Sequence, residues 1–310
     1  MTSPLPHSSG QSNVTSNSFW APSRLGKSSI DVVRLGVAAS YGISGKDVER
    51  AFERGLNFFY WGSTRTSEFG GALRRLGAQH RDKLKVVVQT YARWPSGIGK
   101  SLDKALKALD TNYADVLLLG WWNLPPRDSI LDAAAETVRL GKARSVMVSC
   151  HHRPTFQTLA RDARVDHLMM RYNAAHPGAE KDVFPHLPEK RPGIVAYTST
   201  SWGELLNAAY VPKGDRVPTA TDCYRFVLSN PNVNACWTGP QNGAELDEAI
   251  AALDRGPMTE EELAWMRRVG LSVKSHAGIQ GKATNVADRF VNLVSGFGFT
   301  KTSNLPQSDH

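Results

Sequence analysis

Eight short apolar runs, each followed by a stretch with helical spacing, constrain the fold of this 310-residue chain most strongly. Strict alternation of this kind predicts parallel strands buried on both faces by helices. The predicted strands are Val32–Val37, Asn57–Tyr60, Lys85–Thr90, Asp115–Leu119, Ser145–Ser149, His167–Arg171, Ile194–Tyr197 and Val233–Trp237. Eight such units over about 230 residues favour a closed (β/α)8 TIM barrel over an open sheet. No GxGxxG motif follows any strand, which disfavours a dinucleotide-binding doubly wound fold.

The predicted helices follow the strands in turn, and a ninth lies outside the eight units. They are Lys46–Arg54, Glu68–Leu76, Gly99–Leu109, Ile130–Leu140, Thr155–Ala163, the short Glu180–Phe184, Thr219–Leu228, Ala244–Leu253 and Glu260–Val269. Residues 1–28 and 302–310 are polar and are predicted to be disordered tails. One barrel domain with a C-terminal helix, residues 29–301, is therefore expected between them.

Composition excludes several classes of protein. No apolar run is long enough to span a bilayer, and the N-terminal residues lack the apolar stretch of a secretory signal. Three cysteines, Cys150, Cys223 and Cys236, form no disulfide framework, so a cytoplasmic location is expected. The net charge of +8 comes from scattered basic residues. Nucleic-acid binders usually cluster them on one face, so the basic surface is interpreted as surrounding an anionic small-molecule site.

Six segments between residues 30 and 255 carry a resemblance to a known family. They are Gly55–Phe59, Ser67–Gly70, Gly141–Ser149, Arg171–Asn173, Gly193–Tyr197 and Thr238–Glu248. Each is weak alone, but in this order and spacing they resemble the second strand, the helix after it, and strands five to eight of the aldo-keto reductases. The resemblance implies a (β/α)8 barrel that reduces carbonyls with NADP(H). It also implies that Asp, Tyr, Lys and His at neighbouring strand ends carry the chemistry.

All four of those catalytic positions are replaced in this chain. Tyr60 stands where the family has Asp, and Tyr91 stands where it has Lys. The family's Tyr falls near Thr64 or Arg65, and its His position holds Gly120. The family's Tyr gives a proton to the carbonyl, its Lys and Asp lower the pKa of that Tyr, and its His orients the carbonyl. The resemblance therefore predicts an oxidoreductase with a non-standard mechanism.

The cofactor positions also depart from the family. Cys150 stands where the resemblance places an Asn, and Met169 where it places a Gln. Gln241 replaces the Arg that pairs with the 2′-phosphate, and Glu245 adds a negative charge nearby. The remaining candidates for contacting NADP(H) are Ser149, Asn173, Gly239 and Gln241. No metal is expected as a cofactor.

Loops after the strands form the site in barrels of this kind, and here they are rich in aromatic residues. The candidate catalytic residues are Tyr60, Tyr91 and His151. The candidate substrate-binding residues are Trp61, Arg65, Trp121, Trp122, Arg171 and Trp202. Four tryptophans in these loops suit a flat ligand, and an arginine suits an anionic group on it. Alternatively, the aromatic rings seal the barrel top and Arg171 pairs with an internal acid.

The segment Cys150-His151-His152 admits several roles. A metal site is disfavoured, because three consecutive residues at a strand end rarely point at one ion. A histidine acting as general acid or base, loop histidines without a catalytic role, and a Cys150 nucleophile stay open. The leading interpretation is an enzyme acting on a small aromatic or acidic molecule. The alternatives are a non-catalytic barrel that binds a nucleotide or metabolite, and an inert structural relic.

Overall fold

Eight parallel strands close into a barrel in the computed structural model, which describes residues 19–62 and 66–279. Two short strands, β1 (Ser23–Arg24) and β2 (Asp31–Val32), precede the barrel. The barrel strands are β3 (Leu35–Ala38), β4 (Phe58–Trp61), β5 (Lys85–Thr90), β6 (Val116–Trp122), β7 (Val146–Cys150), β8 (His167–Arg171), β9 (Gly193–Tyr197) and β10 (Ala235–Thr238). Strands β3 to β10 pair with their neighbours in chain order, and β10 closes on β3. The predicted (β/α)8 barrel is confirmed.

The helices cover the outside of the barrel. They are α1 (Gly45–Glu53), α2 (Ser67–His80), α3 (Pro95–Leu109), α4 (Asp128–Arg139), α5 (Thr155–Leu159), α6 (Ala179–Asp182), α7 (Ala220–Ser229), α8 (Gly243–Arg255) and α9 (Glu260–Ile279). Helix α3 begins four residues before its predicted start, with Pro95 in its first turn, where a missing N–H costs nothing. Helix α5 ends early, and α9 runs ten residues beyond the predicted Val269.

Side chains alternate between two apolar layers. Phe58, Val87 and Met147 belong to the layer inside the barrel, whereas Phe59, Val88 and Val148 pack outward against the helices. The inner layer contains stacked aromatic rings: the ring centroids of Trp237 and Phe58 are 4.2 Å apart. The barrel therefore has a filled interior, and only the residues at its carboxyl end can face a ligand.

The amino end of the barrel is closed by residues that were expected to lie in the tail or in the first strand. Strands β1 and β2 form a hairpin, and it carries Leu25 and Ile30 into the inner layer. The predicted strand Val32–Val37 is therefore divided between this hairpin and the barrel strand β3. The predicted tail boundary at residue 28 is also too late, because Leu25 is fully buried and the N–H of Phe19 bonds Leu253 O at 3.2 Å. The rest of the predicted tails lies outside the described residues.

Helix α9 packs beside the carboxyl end of the barrel. Arg267 of α9 makes two hydrogen bonds to Glu180, which follows β8, and Arg225 of α7 pairs with Glu262 of α9. These contacts fix the α9 residues nearest the loop after β8. The predicted domain extends to residue 301, and residues 280–301 lie outside the described part of the chain. No helix among the described residues is long and apolar enough to cross a membrane.

Asp115 joins strands β5 and β6 at the amino end of the barrel. Its buried carboxylate accepts the N–H of Val86 at 2.9 Å and a hydrogen bond from Arg81 at 2.9 Å. Arg144 reaches the same carboxylate at 3.5 Å. The guanidinium groups of Arg81 and Arg144 both lie over the ring of Tyr113, at 3.7 and 4.2 Å from its centroid. This arrangement satisfies a buried charge with two cations and one backbone amide.

Asp115→Ala is expected to lower the free energy of unfolding by about 3 kcal/mol, because it leaves the two guanidinium groups without their buried partner. Asp103→Ala is the matched control, since Asp103 pairs with Lys142 at 2.7 Å and both side chains are exposed. The control should cost about 1 kcal/mol or less. Urea denaturation measures both, and equal losses would show that Asp115 contributes no more than a surface pair.

Candidate active site

A row of three hydrogen-bonded side chains stands at the carboxyl end of β4 and β5. The buried hydroxyl of Tyr60 donates to Gln89 Oε1. The Gln89 side chain also hydrogen-bonds Tyr91. Tyr60 and Gln89 lie on the inward faces of their strands, and Tyr91 follows the last residue of β5. Two of the three predicted catalytic residues are therefore brought together, with a glutamine between them.

Gln89 is the functional candidate that the sequence analysis missed. A Cβ placed on Gly120 would overlap Gln89 Nε2 and would lie 2.9 Å from Tyr91 Cε1. The space that the resemblance assigns to a histidine at position 120 is thus filled by the Gln89 amide. The sequence did hold a signal, because Gln89 is the one amide in the run Lys85-Val86-Val87-Val88-Gln89-Thr90 and has the inward parity of Val87.

Burial dominates the acidity of both tyrosines. It raises the pKa of Tyr60 well above its usual value, and the nearby Tyr91 and Tyr41 raise it further. Burial also raises the pKa of Tyr91, while the Gln89 hydrogen bond and the charge of Arg93 act in the opposite direction. Arg93 donates to Gly120 O at 2.8 Å and to Trp121 O at 2.7 Å. Arg93 is the cation of the described residues that acts on Tyr91, and burial, the largest effect, keeps both phenols protonated at neutral pH.

His151 follows β7 at the carboxyl end of the barrel, here called the mouth, and lies between two aromatic rings. Tyr197 Oη lies 3.0 Å from His151 Nδ1, and the rings of Trp121 and Tyr197 meet the imidazole edge-on at 5.9 and 5.8 Å. Burial and then the charge of Arg171 lower the pKa of His151 to about 4. Burial raises the pKa of Tyr197, so this phenol keeps its proton. His151 is neutral near pH 7 because its own pKa is lowered.

Arg171 brings a positive charge to the mouth. Its guanidinium carbon lies 5.8 Å from the ring centroid of Trp202. Among residues 19–62 and 66–279 it forms no salt bridge with a carboxylate. His176 lies nearby, and burial, then the charges of Arg171, Lys274 and Arg153, lower its pKa to about 4. Arg153 pairs with Asp182 at 2.6 Å, which leaves Arg171 and Lys274 as the cations of this cluster not matched by an acid within the described chain.

The backbone of two mouth loops adopts an unusual conformation. Trp121, Thr198, Ser201 and Trp202 all have positive φ values, of 57°, 58°, 52° and 54°. Each costs on the order of 1–3 kcal/mol for a residue with a side chain, and such residues cluster at functional sites. Trp121 meets the imidazole of His151 edge-on, and Trp202 lies under the guanidinium of Arg171. The strain is thus concentrated where the predicted ligand would bind.

Three residues that were predicted near the mouth lie elsewhere, because alternate side chains of a strand point outward. Trp61 is buried in the outer layer against α2, where its indole donates to Thr66 O at 3.2 Å. Trp122 follows an irregularity in β6 and packs against the same layer. Cys150 also faces outward, burial raises its pKa, and its thiol hydrogen-bonds His152 O at 3.3 Å. The packing of Trp61 and Trp122 gives no support to their predicted role as substrate contacts, and a Cys150 nucleophile is disfavoured.

The candidate cofactor residues are dispersed. Ser149 is on the inward face of β7, and Gly239 packs so closely against Tyr41 that any Cβ would enter its ring. Asn173 is fully buried, donates to Thr198 O at 2.6 Å and accepts from the N–H of His176 at 2.8 Å, so it ties two loops together. Gln241 is exposed, and its N–H donates to Glu245 Oε2 at 2.8 Å. A carboxylate of this chain therefore occupies the backbone donor beside the start of α8.

Two predicted positions, Thr64 and Arg65, lie outside the described residues. No group of three or more histidine, cysteine or acidic side chains in the described part of the chain could hold a metal ion.

A groove of about 650 Å³ lies at the opposite, amino end of the barrel and is lined in part by Asn57, Lys85 and Arg144. Its cations are already engaged, since Lys85 Nζ donates to Asp82 O at 2.6 Å and Arg144 contacts Asp115. The active site of a (β/α)8 barrel forms at the carboxyl end, so we place the candidate site at the mouth.

Comparison with known proteins gives two positive findings. Residues 37–216, more than half of the chain, match the family model described as "Aldo/keto reductase family". The fold is similar to that of the aldo-keto reductase AKR11C1 from Bacillus halodurans, with TM-scores of 0.70 for its holo form and 0.68 for its apo form. Both are 16% identical in sequence and cover 80% of this chain and 95% of theirs. No curated protein matches the chain.

The neutral state of His151 predicts a pH dependence of stability. Its pKa is about 4 in the folded chain and 6.5 in a model peptide, so folding favours the neutral form. Its contribution is fully present above pH 6.5 and is lost as the pH falls toward 4. We expect His151→Gln to lose less stability between about pH 7 and about pH 4.5 than the unaltered protein does.

Urea denaturation at the two pH values measures this loss, with His186→Gln as the control at an exposed histidine. If His151→Gln loses as much unfolding free energy between the two pH values as the unaltered protein does, His151 is not kept neutral by its surroundings in the folded chain.

Proposed function

This chain belongs to the aldo/keto reductase family, and we propose that it is a divergent oxidoreductase of that family acting on a small aromatic molecule with an acidic group. The observation that carries the proposal is the meeting of protonated donors and a cation in one mouth. Tyr91 and His151 can donate hydrogen bonds, and Arg171 can pair with an anion. Trp121 and Trp202 supply flat apolar walls beside them.

The positive charge of Arg171 supports the proposal that the substrate carries an acidic group. A partly buried guanidinium is costly unless it is paired, and none of the carboxylates in the described chain pairs with Arg171. A carboxylate on the ligand would satisfy it with charge-assisted, bidentate hydrogen bonds. The neighbouring charge of Lys274, which acts on His176 together with Arg171, attracts the same group.

The donors determine what reaction this chain's own residues could support. Reduction of a carbonyl to an alcohol needs a hydride at carbon, which a nicotinamide dinucleotide supplies in this family, and a proton at oxygen. Tyr91 is the proton donor in our proposal, because it is half-buried at the mouth while Tyr60 is buried behind it. His151 polarises the carbonyl as a neutral N–H donor. No lysine of the described residues acts on either tyrosine to lower its pKa, so we expect slow turnover with simple aldehydes.

The family's cofactor fits this chain poorly at one end. NADP(H) carries a 2′-phosphate, and the resemblance places its contact at Gln241. The N–H of Gln241 is taken by Glu245 Oε2, and the N–H of Glu245 is taken in turn by Asn242 Oδ1 at 3.0 Å. A phosphate here would meet a carboxylate instead of a guanidinium, and like charges repel. We therefore propose that NADP(H) binds weakly, and no step of the reaction is assigned to its phosphate end.

A second function is supported by a specific observation. Burial raises the pKa of Tyr60, Tyr91 and Tyr197 alike, so the mouth holds neutral donors rather than an activated acid. Such a set suits tight recognition of a carbonyl or carboxylate as well as it suits its reduction. A non-catalytic barrel that binds a metabolite would have this mouth and no measurable turnover.

The function is tested with phenylglyoxylate, an aromatic keto acid, by calorimetry and by reduction assays with NADH and NADPH. We expect binding and slow reduction, and Tyr91→Phe should lower kcat by about 10²-fold or more with binding largely kept. Binding without reduction by either dinucleotide would establish the non-catalytic alternative. An absence of binding would overturn both.

Arg171→Met is expected to weaken phenylglyoxylate binding by about 10- to 100-fold, because one charge-assisted hydrogen-bonded pair is lost. Its melting temperature should change little, since no internal partner in the described chain is left unpaired. Arg139→Met is the control, because Arg139 is exposed on α4 and its salt bridge in the described part of the chain is to Glu136. Lost stability in Arg171→Met with unchanged affinity would make this arginine part of the scaffold.

The double variant Gln241→Arg/Glu245→Gln is expected to bind NADPH about 10- to 100-fold more tightly, with little change for NADH, which lacks the phosphate. A glutamine at position 245 keeps an oxygen that can accept from the N–H of residue 241. The control, Gln157→Arg/Glu136→Gln, changes the net charge equally at distant exposed positions. Quenching of intrinsic fluorescence measures the affinities for NADPH and NADH. An equal gain in affinity for NADH would contradict the proposal that Gln241 and Glu245 lie beside the 2′-phosphate.

A further inference from the structure

One guanidinium joins the loop after β5 to the end of β6. Arg93 Nη1 donates to the backbone oxygen of Tyr91 at 3.2 Å, and Nη2 donates to Gly120 O at 2.8 Å and to Trp121 O at 2.7 Å. The guanidinium carbon lies 4.2 Å from the ring centroid of Trp122. Two successive carbonyl groups of β6 thus share the two hydrogens of one nitrogen, which suits the rigid, planar fork of an arginine.

The two β6 carbonyl groups belong to an irregular part of that strand. The pairing of β6 with β7 shifts between Leu119 and Trp122, where three steps along β6 match two steps along β7. An extra residue of this kind is a β-bulge, which interrupts the ladder, re-aims side chains and is common next to active sites. Trp121, inside the bulge, has a φ of 57°. Successive carbonyl groups of an extended strand point to opposite sides, whereas those of Gly120 and Trp121 both point at Arg93.

The bulge determines where the ring of Trp121 stands. Its indole meets the imidazole of His151 edge-on, with the ring centroids 5.9 Å apart, and the residue is 38% exposed. A residue with a side chain keeps a positive φ when its surroundings over-determine that conformation. Gly120 O and Trp121 O belong to the peptide bonds before and after Trp121. Arg93 therefore fixes the peptide planes on both sides of this residue.

From this geometry we infer that Arg93 is a positioning residue, which holds the end of β6 so that Trp121 forms a flat wall of the mouth. Through Trp121 it determines the preference of the site for a planar ring. The inference rests on the proposed function for the presence of an aromatic ligand. It deepens that function by assigning the choice between flat and puckered rings to a group that acts through the backbone.

Two acids of equal charge test this role by calorimetry on the full chain. Phenylglyoxylate has a flat ring, and cyclohexylglyoxylate has the same keto acid beside a puckered ring with the same number of carbons. We expect the unaltered protein to bind the flat acid about 3- to 10-fold more tightly, as one aromatic pair allows. Arg93→Met keeps a long apolar side chain without donors and should abolish this preference. The loss of positive charge weakens both acids alike, so the ratio of their affinities reports the ring wall.

Further variants separate position from charge. Arg93→Lys keeps the charge but lacks the planar fork, so it should lose most of the preference. Trp121→Leu removes the flat wall and should abolish the preference. Arg93→Met/Trp121→Leu should lose no more than Trp121→Leu, because two changes that act through one ring are not additive. Arg161→Met is the matched control and should keep the full preference, since Arg161 is exposed and donates to a distant backbone oxygen, Gln157 O, at 2.9 Å.

The outcomes separate the inference from the proposed function. A preference that persists in Arg93→Met, or in Arg93→Lys if the first variant does not fold, overturns the role of Arg93 and leaves the reductase proposal standing. Additive losses in the double variant overturn it too, as does equal binding of the two acids by the unaltered protein. Loss of the preference in Arg93→Met, in a protein that reduces neither acid, supports the inference and overturns the reductase proposal. If the unaltered protein binds neither acid, both ideas are overturned.

Discussion

A closed parallel barrel gives every strand one face toward its interior and one face toward the helices, and this division decides where each strand-end side chain goes. Tyr60 and Trp61 are neighbours in the chain, yet Tyr60 belongs to the inner layer and Trp61 to the outer one. His151 reaches the mouth, whereas Cys150 before it faces outward. The candidate site is thus the set of inward positions that come last on each strand.

Interior packing and chemistry share the same positions in this molecule. Phe58, Tyr60 and Trp237 fill the barrel with aromatic rings, so the polar groups above them are screened from water from below. Low local polarity strengthens each hydrogen bond and opposes each charge. The neutral state of His151 and the retained proton of Tyr91 follow from that environment. Arg171 is the exception, and for that reason it carries most of the argument for an anionic ligand.

Much of the fold could be predicted from the sequence, because β-branched runs and helical spacing repeat eight times. The boundaries that failed were set by contacts distant in the chain, as when the hairpin at residues 23–32 closes the amino end around Leu25. Three of the predicted mouth residues, Tyr60, Tyr91 and His151, lie at or just after the carboxyl ends of β4, β5 and β7.

Trp61 and Trp122 could not be placed from sequence alone, because the direction of a strand-end side chain depends on the register and on local irregularities such as that in β6. Gln89 was missed because a resemblance directs attention to positions where the family has chemistry. Its position depends on a space left at Gly120, thirty-one residues further along the chain.

The overlap between Gly120 and Gln89 also couples two positions that are thirty-one residues apart in the chain. A larger side chain at position 120 alone would collide with the amide, and a smaller side chain at position 89 alone would remove the acceptor of the buried Tyr60 hydroxyl. The two positions therefore cannot vary independently, and a change at one of them is tolerated best when the other changes with it.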